Sequence, residues 1–294
     1  MNGPADSTAR ASSANGAHGA AVAARAPDRW RARQRRAEQL RERLPYAAEV
    51  LALYQRLLLA QAPAYAAALA DRPAAADLAS YVARRSAPAV VAATVAGGPP
   101  ALASAGEPWL RARAAADVGR WLDGGPLASV DAFFARVAAA PVLEALLDCG
   151  ALPAATGPSA TGPSATGPSA TGHCPRCGGL PQVAFTADAG DALLTAPRHL
   201  LCARCSATWS APRLQCAACG ESATAILESF AAAERLPHLR ADACRTCRSY
   251  LVHVDLRRDR DAVPEVDEVA AVPLDLHVHE QGLRKIIPNV FGIG

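Results

Sequence analysis

Eight of the nine cysteines of this 294-residue chain fall into four Cys-x-x-Cys pairs: Cys174/Cys177, Cys202/Cys205, Cys216/Cys219 and Cys244/Cys247. Adding 42 to each of the first four positions gives each of the last four. A single Cys-x-x-Cys decides nothing, since it serves equally as a redox dithiol, a disulfide or half of a metal cage. A dithiol enzyme needs one pair, whereas a tetrahedral metal site needs two pairs brought together by folding, so paired pairs in duplicate point to two four-cysteine cages. The expected ligands are Cys174, Cys177, Cys202 and Cys205 for one, and Cys216, Cys219, Cys244 and Cys247 for the other. Gly178 and Gly220 each follow the second cysteine of a pair. There the chain turns sharply so that backbone N–H groups can face sulfur, and a residue without a side chain tolerates that turn.

A fold of about 40 residues cannot build a sufficient apolar core, and a bound metal takes the core's place. Pro181–Thr186, the stretch HLLCARC, Thr224–Phe230 and Ser249–Leu256 have the β-branched or aromatic look of short strands, with a cysteine pair at or between strand ends. This predicts two tandem modules of rubredoxin-like or zinc-ribbon type, 173–214 and 215–260. Trp209 and Tyr250 are expected to wall the cages. His173 and His199 lie close by in sequence, but four thiols complete a tetrahedron without them. Cys149, unpaired in an apolar context, reads as a small buried residue.

The other half of the chain is of a different kind. Trp30, Ala37, Leu40 and Leu44 recur at helical spacing, and the arginines between them read as a solvated face. Val50, Leu53, Tyr54, Leu57 and Leu58 mark a second helix, bracketed by Pro45 and Pro63. Shorter helices follow, then an expected loop at Val95–Pro108 where Gly and Pro cluster. Beyond it helical periodicity returns, with Trp109, Phe133, Phe134 and Leu146 as core candidates. The fold class is therefore α+β: an all-helical domain over 29–152, the two metal modules, and a C-terminal helix with an apolar tail over 261–294. The tail carries Ile286, Ile287, Val290 and Phe291, which must pack on the protein or on a partner. Between the halves, 153–172 contains a five-residue TGPSA repeat that cannot bury a core and reads as a linker. Residues 1–28, small and polar without a leucine-rich stretch, read as a disordered tail and point to the cytoplasm.

Charge narrows the function. The whole chain carries a formal +3, and 173–294 holds 13 basic against 14 acidic side chains, without the basic surplus that nucleic acid demands. No apolar run is long enough to span a membrane. Paired catalytic carboxylates, a Ser-His-Asp order and a phosphate-cradling glycine loop are all missing from the sequence, which favours a binding protein over an enzyme.

The order CPRCGG, LLCARCSATW, RLQCAACGE, ADACRTCRSYLVHVD and a closing EQGLRKIIPNVFGIG resembles the formate dehydrogenase accessory proteins of the FdhE type. Trp209, Arg213, Asp242, Tyr250 and Pro288-Asn289 belong to the same signature, which covers 173–294 well and 27–155 weakly. The resemblance implies a cytoplasmic maturation factor that binds iron in two rubredoxin-type four-cysteine sites, zinc being the other metal such sites accept. It also implies docking on the catalytic subunit of a respiratory formate dehydrogenase before folded export, with self-association left open. Two other classes remain at this point: an iron-thiolate electron-transfer protein and a nucleic-acid-binding zinc-ribbon protein.

Overall fold

The computed structural model describes residues 26–153, 172–187, 196–231 and 235–294. The expected tail up to residue 25 and the TGPSA repeat over 154–171 lie outside the described residues.

Seven helices form the N-terminal part: α1 (Ala26–Arg43), α2 (Ala48–Asp71), α3 (Leu78–Arg85), α4 (Ala87–Gly97), α5 (Pro100–Ala112), α6 (Ala114–Leu122) and α7 (Ser129–Asp148). Helix α7 is the hub, with Phe134, Ala135, Ala138, Val142 and Leu146 fully buried against the surrounding helices. Each such large apolar side chain contributes about 1.5–3 kcal/mol relative to exposure.

Two sequence expectations are corrected here. Pro63 does not end the second helix; α2 runs through it. Both Pro63 and Leu59, whose carbonyl loses its intrahelical donor, are exposed, so water satisfies the freed group. The loop expected over Val95–Pro108 is mostly helix, with α4 ending at Gly97 and α5 starting at Pro100. Pro100 takes a first-turn position, where its missing N–H is not needed. Gly106 is there for close packing: a Cβ at this point would lie 2.9 Å from Val91 Cγ1 and 3.4 Å from the Phe134 ring.

The cysteine-bearing half forms one sheet. Its strands are β1 (Pro181–Thr186), β2 (Arg198–Cys202), β3 (Thr208–Ala211), β4 (Leu227–Ala231), β5 (Leu239–Cys244) and β6 (Ser249–Asp255). They lie in the order β3-β2-β1-β6-β5-β4, with a short β7 (Arg284–Lys285) beside β6. Each module is a three-stranded antiparallel meander, and the two join through parallel pairing of β1 with β6, Ala184 opposite His253. The 42-residue repeat is therefore a structural repeat, with β2 answering to β5 and β3 to β6. One face of the sheet, with Phe185, Leu201, Tyr250, Val252 and Val254, packs on α1 and on α8 (Pro264–Ala270) and α9 (Val272–Glu280). The other face carries Ala184, Leu200, Trp209 and Leu251, which join the core of the helical part.

The arginine face of α1, expected to be solvated, is instead covered. Arg33 and Arg36 are buried and pair with Glu144, Glu265, Asp259 and Asp267. The partners stand more than a hundred residues away, so periodicity alone cannot tell an exposed charged face from one sealed by opposite charge. The apolar tail also turns back on the protein. Phe291 stacks on Phe133 with ring centroids 6.0 Å apart, and Asn289 Oδ1 accepts hydrogen bonds from the N–H groups of Phe291 and Ile293.

Candidate metal centres

All four knuckles share one backbone device. The residue after the second cysteine has positive φ in each: Gly178 at 69°, Ser206 at 58°, Gly220 at 80° and Arg248 at 55°. In three of them that residue's N–H returns to the carbonyl of the first cysteine, from Gly178, Ser206 and Gly220. The same turn aims a backbone N–H at sulfur, from Arg176 to Cys174 at 3.4 Å, from Arg204 to Cys202 at 3.3 Å and from Ala218 to Cys216 at 3.4 Å. Glycine is thus dispensable at two knuckles, at the cost of about 1–2 kcal/mol for placing a side chain in the left-handed region.

The turns bring the thiols together in two groups, Cys174, Cys177, Cys202 and Cys205, and Cys216, Cys219, Cys244 and Cys247, with the ligand atoms of each group within 4.8 Å of one another. In the first group Cys174 and Cys205 are 3.7 Å apart and Cys177 and Cys202 3.4 Å. In the second, Cys216 and Cys247 are 3.6 Å apart and Cys219 and Cys244 3.8 Å. A tetrahedron with metal–sulfur bonds of about 2.3 Å has edges of about 3.8 Å, whereas a disulfide requires about 2.05 Å. Both groups therefore fit one four-coordinate metal ion each. Burial, reinforced by the neighbouring Cys247 thiol, pushes Cys216 up to about 12 against the backbone N–H groups that favour its thiolate. A cation at the centre reverses that balance and holds the sulfur deprotonated.

Part of the chain matches a known family model. Residues 214–291 match the family model described as FdhE, C-terminal domain. FdhE homologs are similar over part of the chain: that of Aquifex aeolicus is 37% identical over 120 residues, 41% of each chain. That of Haemophilus influenzae is 34% identical over 119 residues, 40% of this chain and 38% of the relative. Over this domain the chain is similar to the FdhE family. The match thus spans only about two fifths of the curated relatives, 41% and 38%. The crystal structure of the FdhE protein from Pseudomonas aeruginosa extends the likeness of fold to both halves, with a TM-score of 0.62 over 90% of this chain and 95% of that one at 24% identity.

The two cages sit in different surroundings. Cys174, Cys202 and Cys205 are buried within the core that includes α7, and Trp209 belongs to the same cluster. Around the second cage only Cys244 is buried, and Cys219 is exposed. Tyr250 does less as a wall than its position suggests: its hydroxyl donates to Asp275 Oδ1 at 2.9 Å on the opposite side of the sheet from Cys244. Neither nearby histidine joins a cage. His173 Nδ1 lies 3.0 Å from the Gly178 carbonyl oxygen, and His199 stacks on Phe185, where burial lowers its pKa. Cys149 is half-buried rather than buried and stands apart from both groups. A third group, His238, Asp259 and Asp267, has metal-ligand types at close range, but Arg36 already occupies it as counter-ion. Sequence reading passed over the polar cluster of Arg198, Arg240 and His253 beside the second cage. Its available signal is the period-two alternation Arg240, Asp242, Cys244 along β5.

Proposed function

We propose that this chain is an accessory factor of formate dehydrogenase: it binds the catalytic subunit of an exported respiratory enzyme in the cytoplasm and supports its assembly before export. The observation that carries the reading is the pair of closed four-thiolate cages on an FdhE-family sheet. Each would hold one iron ion, or zinc, the first through Cys174, Cys177, Cys202 and Cys205 and the second through Cys216, Cys219, Cys244 and Cys247. Four protein ligands leave no coordination position for a substrate, so each metal closes its own module and shapes a surface for protein; the metals do not turn over substrate. Among the described residues no helix is long and apolar enough to cross a membrane, in keeping with a factor that meets its client before export.

The exposure of Cys219 favours a second reading, electron transfer through an iron-thiolate centre, because a cage at the surface brings its metal close to a redox partner. A tagged full-length chain captured from its host separates the two. Recovery of a formate dehydrogenase catalytic subunit supports the accessory role, and a redox protein in its place supports electron transfer. A strain lacking the gene should lose membrane-bound formate oxidation and regain it with the wild-type chain; full activity in the deletion strain refutes the accessory role.

A further inference from the structure

The sheet face that carries Cys244 is apolar and covered toward β1 and β2, but polar toward β4 and β5. Register places Ser229, Asp242, Arg240 and His253 on this face, and Arg198 follows from β2. The segment Arg213–Ala217, leading into the second cage, lines a partly open cavity of about 240 Å³ with them.

Charge in this cavity is unbalanced. Three guanidinium groups line it, from Arg198, Arg213 and Arg240. Asp242 is the one lining carboxylate without a partner outside the cavity, since Glu228 is paired with Arg245 at 2.6 Å. Asp242 is itself fully engaged. It accepts from Arg240 Nε at 2.8 Å and from His253 Nδ1 at 2.9 Å, while His253 Nε2 lies 2.7 Å from the Thr186 hydroxyl. Arg198 is only 4% exposed. Its Nη1 donates to the carbonyls of Pro212 and Gln215 and its Nη2 lies 3.8 Å from Asp242 Oδ2, yet its buried Nε has no partner among the described residues. A buried guanidinium N–H left unpaired costs more than an exposed one. Arg213 stands exposed, with no carboxylate partner among the described residues, where its Nη1 reaches the Ala196 carbonyl at 3.5 Å.

We propose that this cavity is a binding site for a small oxyanion, a free carboxylate or phosphate-type ion held between Arg198, Arg213 and Arg240. Guanidinium forks match the paired oxygens of both classes. At about 240 Å³ the space falls below the roughly 300–1,000 Å³ of pockets for drug-sized ligands, which suits a small ion. Cys216 and Cys244 line the same cavity, so the anion would bind beside the second cage. The rival account is that the arginines only offset the negative charge of the four thiolates. It differs in what it predicts, because arginines neutralised by the cage bind no added ion.

Calorimetric titration of the metal-loaded full-length chain at low ionic strength decides between them. Inorganic phosphate or succinate should bind saturably at one site per chain, and uncharged succinamide should not; whichever of the two anions binds more tightly assigns the class. Arg213→Gln, at an exposed position, should weaken binding about tenfold or more, the loss of one charge-assisted contact. Arg240→Gln should do the same, with metal content reporting that the fold is kept. Absence of saturable binding at millimolar phosphate and succinate overturns the proposal, as does binding that neither substitution changes.

Discussion

Arg36 and Asp267, 231 positions apart, form a bidentate ion pair with contacts of 2.9 and 2.6 Å and side chains 1% and 0% exposed. The pair fastens the first described helix to the acidic helix that follows the sheet, and it is extended by Asp259 at 2.7 Å from Arg36 and His238 at 2.7 Å from Asp267. Removing one member of a buried pair strands the other charge, which costs about 3–5 kcal/mol. Arg36→Met should therefore lower stability by about that amount in urea unfolding. Arg36→Met/Asp267→Leu should recover part of it, because no buried charge of the original pair remains. Equal losses in the single and double variants would show that the pair does not act as a unit.

The left-handed knuckle residues allow a gain to be predicted. Ser206 sits at φ 58° where the equivalent positions Gly178 and Gly220 carry glycine. Ser206→Gly relieves the clash of Cβ with backbone but adds freedom to the unfolded chain, and the net gain should be about 0.5–1 kcal/mol. Thermal or urea unfolding of the metal-loaded protein measures it; a loss would mean that the Ser206 side chain contributes packing that exceeds the strain.

The grouping of the eight thiols was legible because metal-ligand spacing is a local constraint that folding must respect. Strands β1 and β6 were legible for a similar reason, since β-branched and apolar side chains cluster within a few residues. Strand β4 was expected from Thr224 and forms at Leu227–Ala231, because Ala223–Ile226 closes a turn first. What escaped was set by distant partners. Pro63 reads as a helix end until the exposure of Leu59 is known, and Gly106 reads as loop until Val91 and Phe134 crowd it. The parallel joint of β1 to β6 has no local signature, and neither does the matching of Arg33 and Arg36 with Glu265 and Asp267.

The only lysine of the chain, Lys285, is buried between two carboxylates, Glu268 and Asp275, the latter at 2.9 Å. One cation cannot balance two buried anions. Burial is the largest influence on Asp275; together with the Glu268 charge it outweighs Lys285 and the Tyr250 hydroxyl and raises the carboxyl from 3.8 to about 6. A carboxyl that binds its proton more tightly in the folded state stabilises the fold below the unfolded pKa, and this contribution is lost as pH rises through the folded one. Stability from this group should fall by roughly 2–3 kcal/mol between about pH 4 and pH 6. Asp275→Asn should abolish that slope, seen as the difference between the two unfolding free energies across the window. Parallel pH profiles for the two proteins would refute the assignment.

The unequal burial of the two cages predicts an order of metal loss. Three thiols of the first cage are 2% exposed or less, Cys174, Cys202 and Cys205, and they lie inside the main core. The second cage presents Cys219 to solvent. A chelator must reach the metal through an opened ligand, so release from the first cage needs local unfolding of core that the second does not need. If uncovering the first costs even about 1.4 kcal/mol more, its release is about tenfold slower. Chelation of the metal-loaded chain should then run in two phases of equal amplitude, with iodoacetamide marking Cys219 during the first. In Cys244→Ser/Cys247→Ser, which breaks the second cage, the fast phase should vanish and the slow one remain. If the slow phase disappears instead, the first cage is the labile one, and burial does not govern how firmly this protein holds its metals.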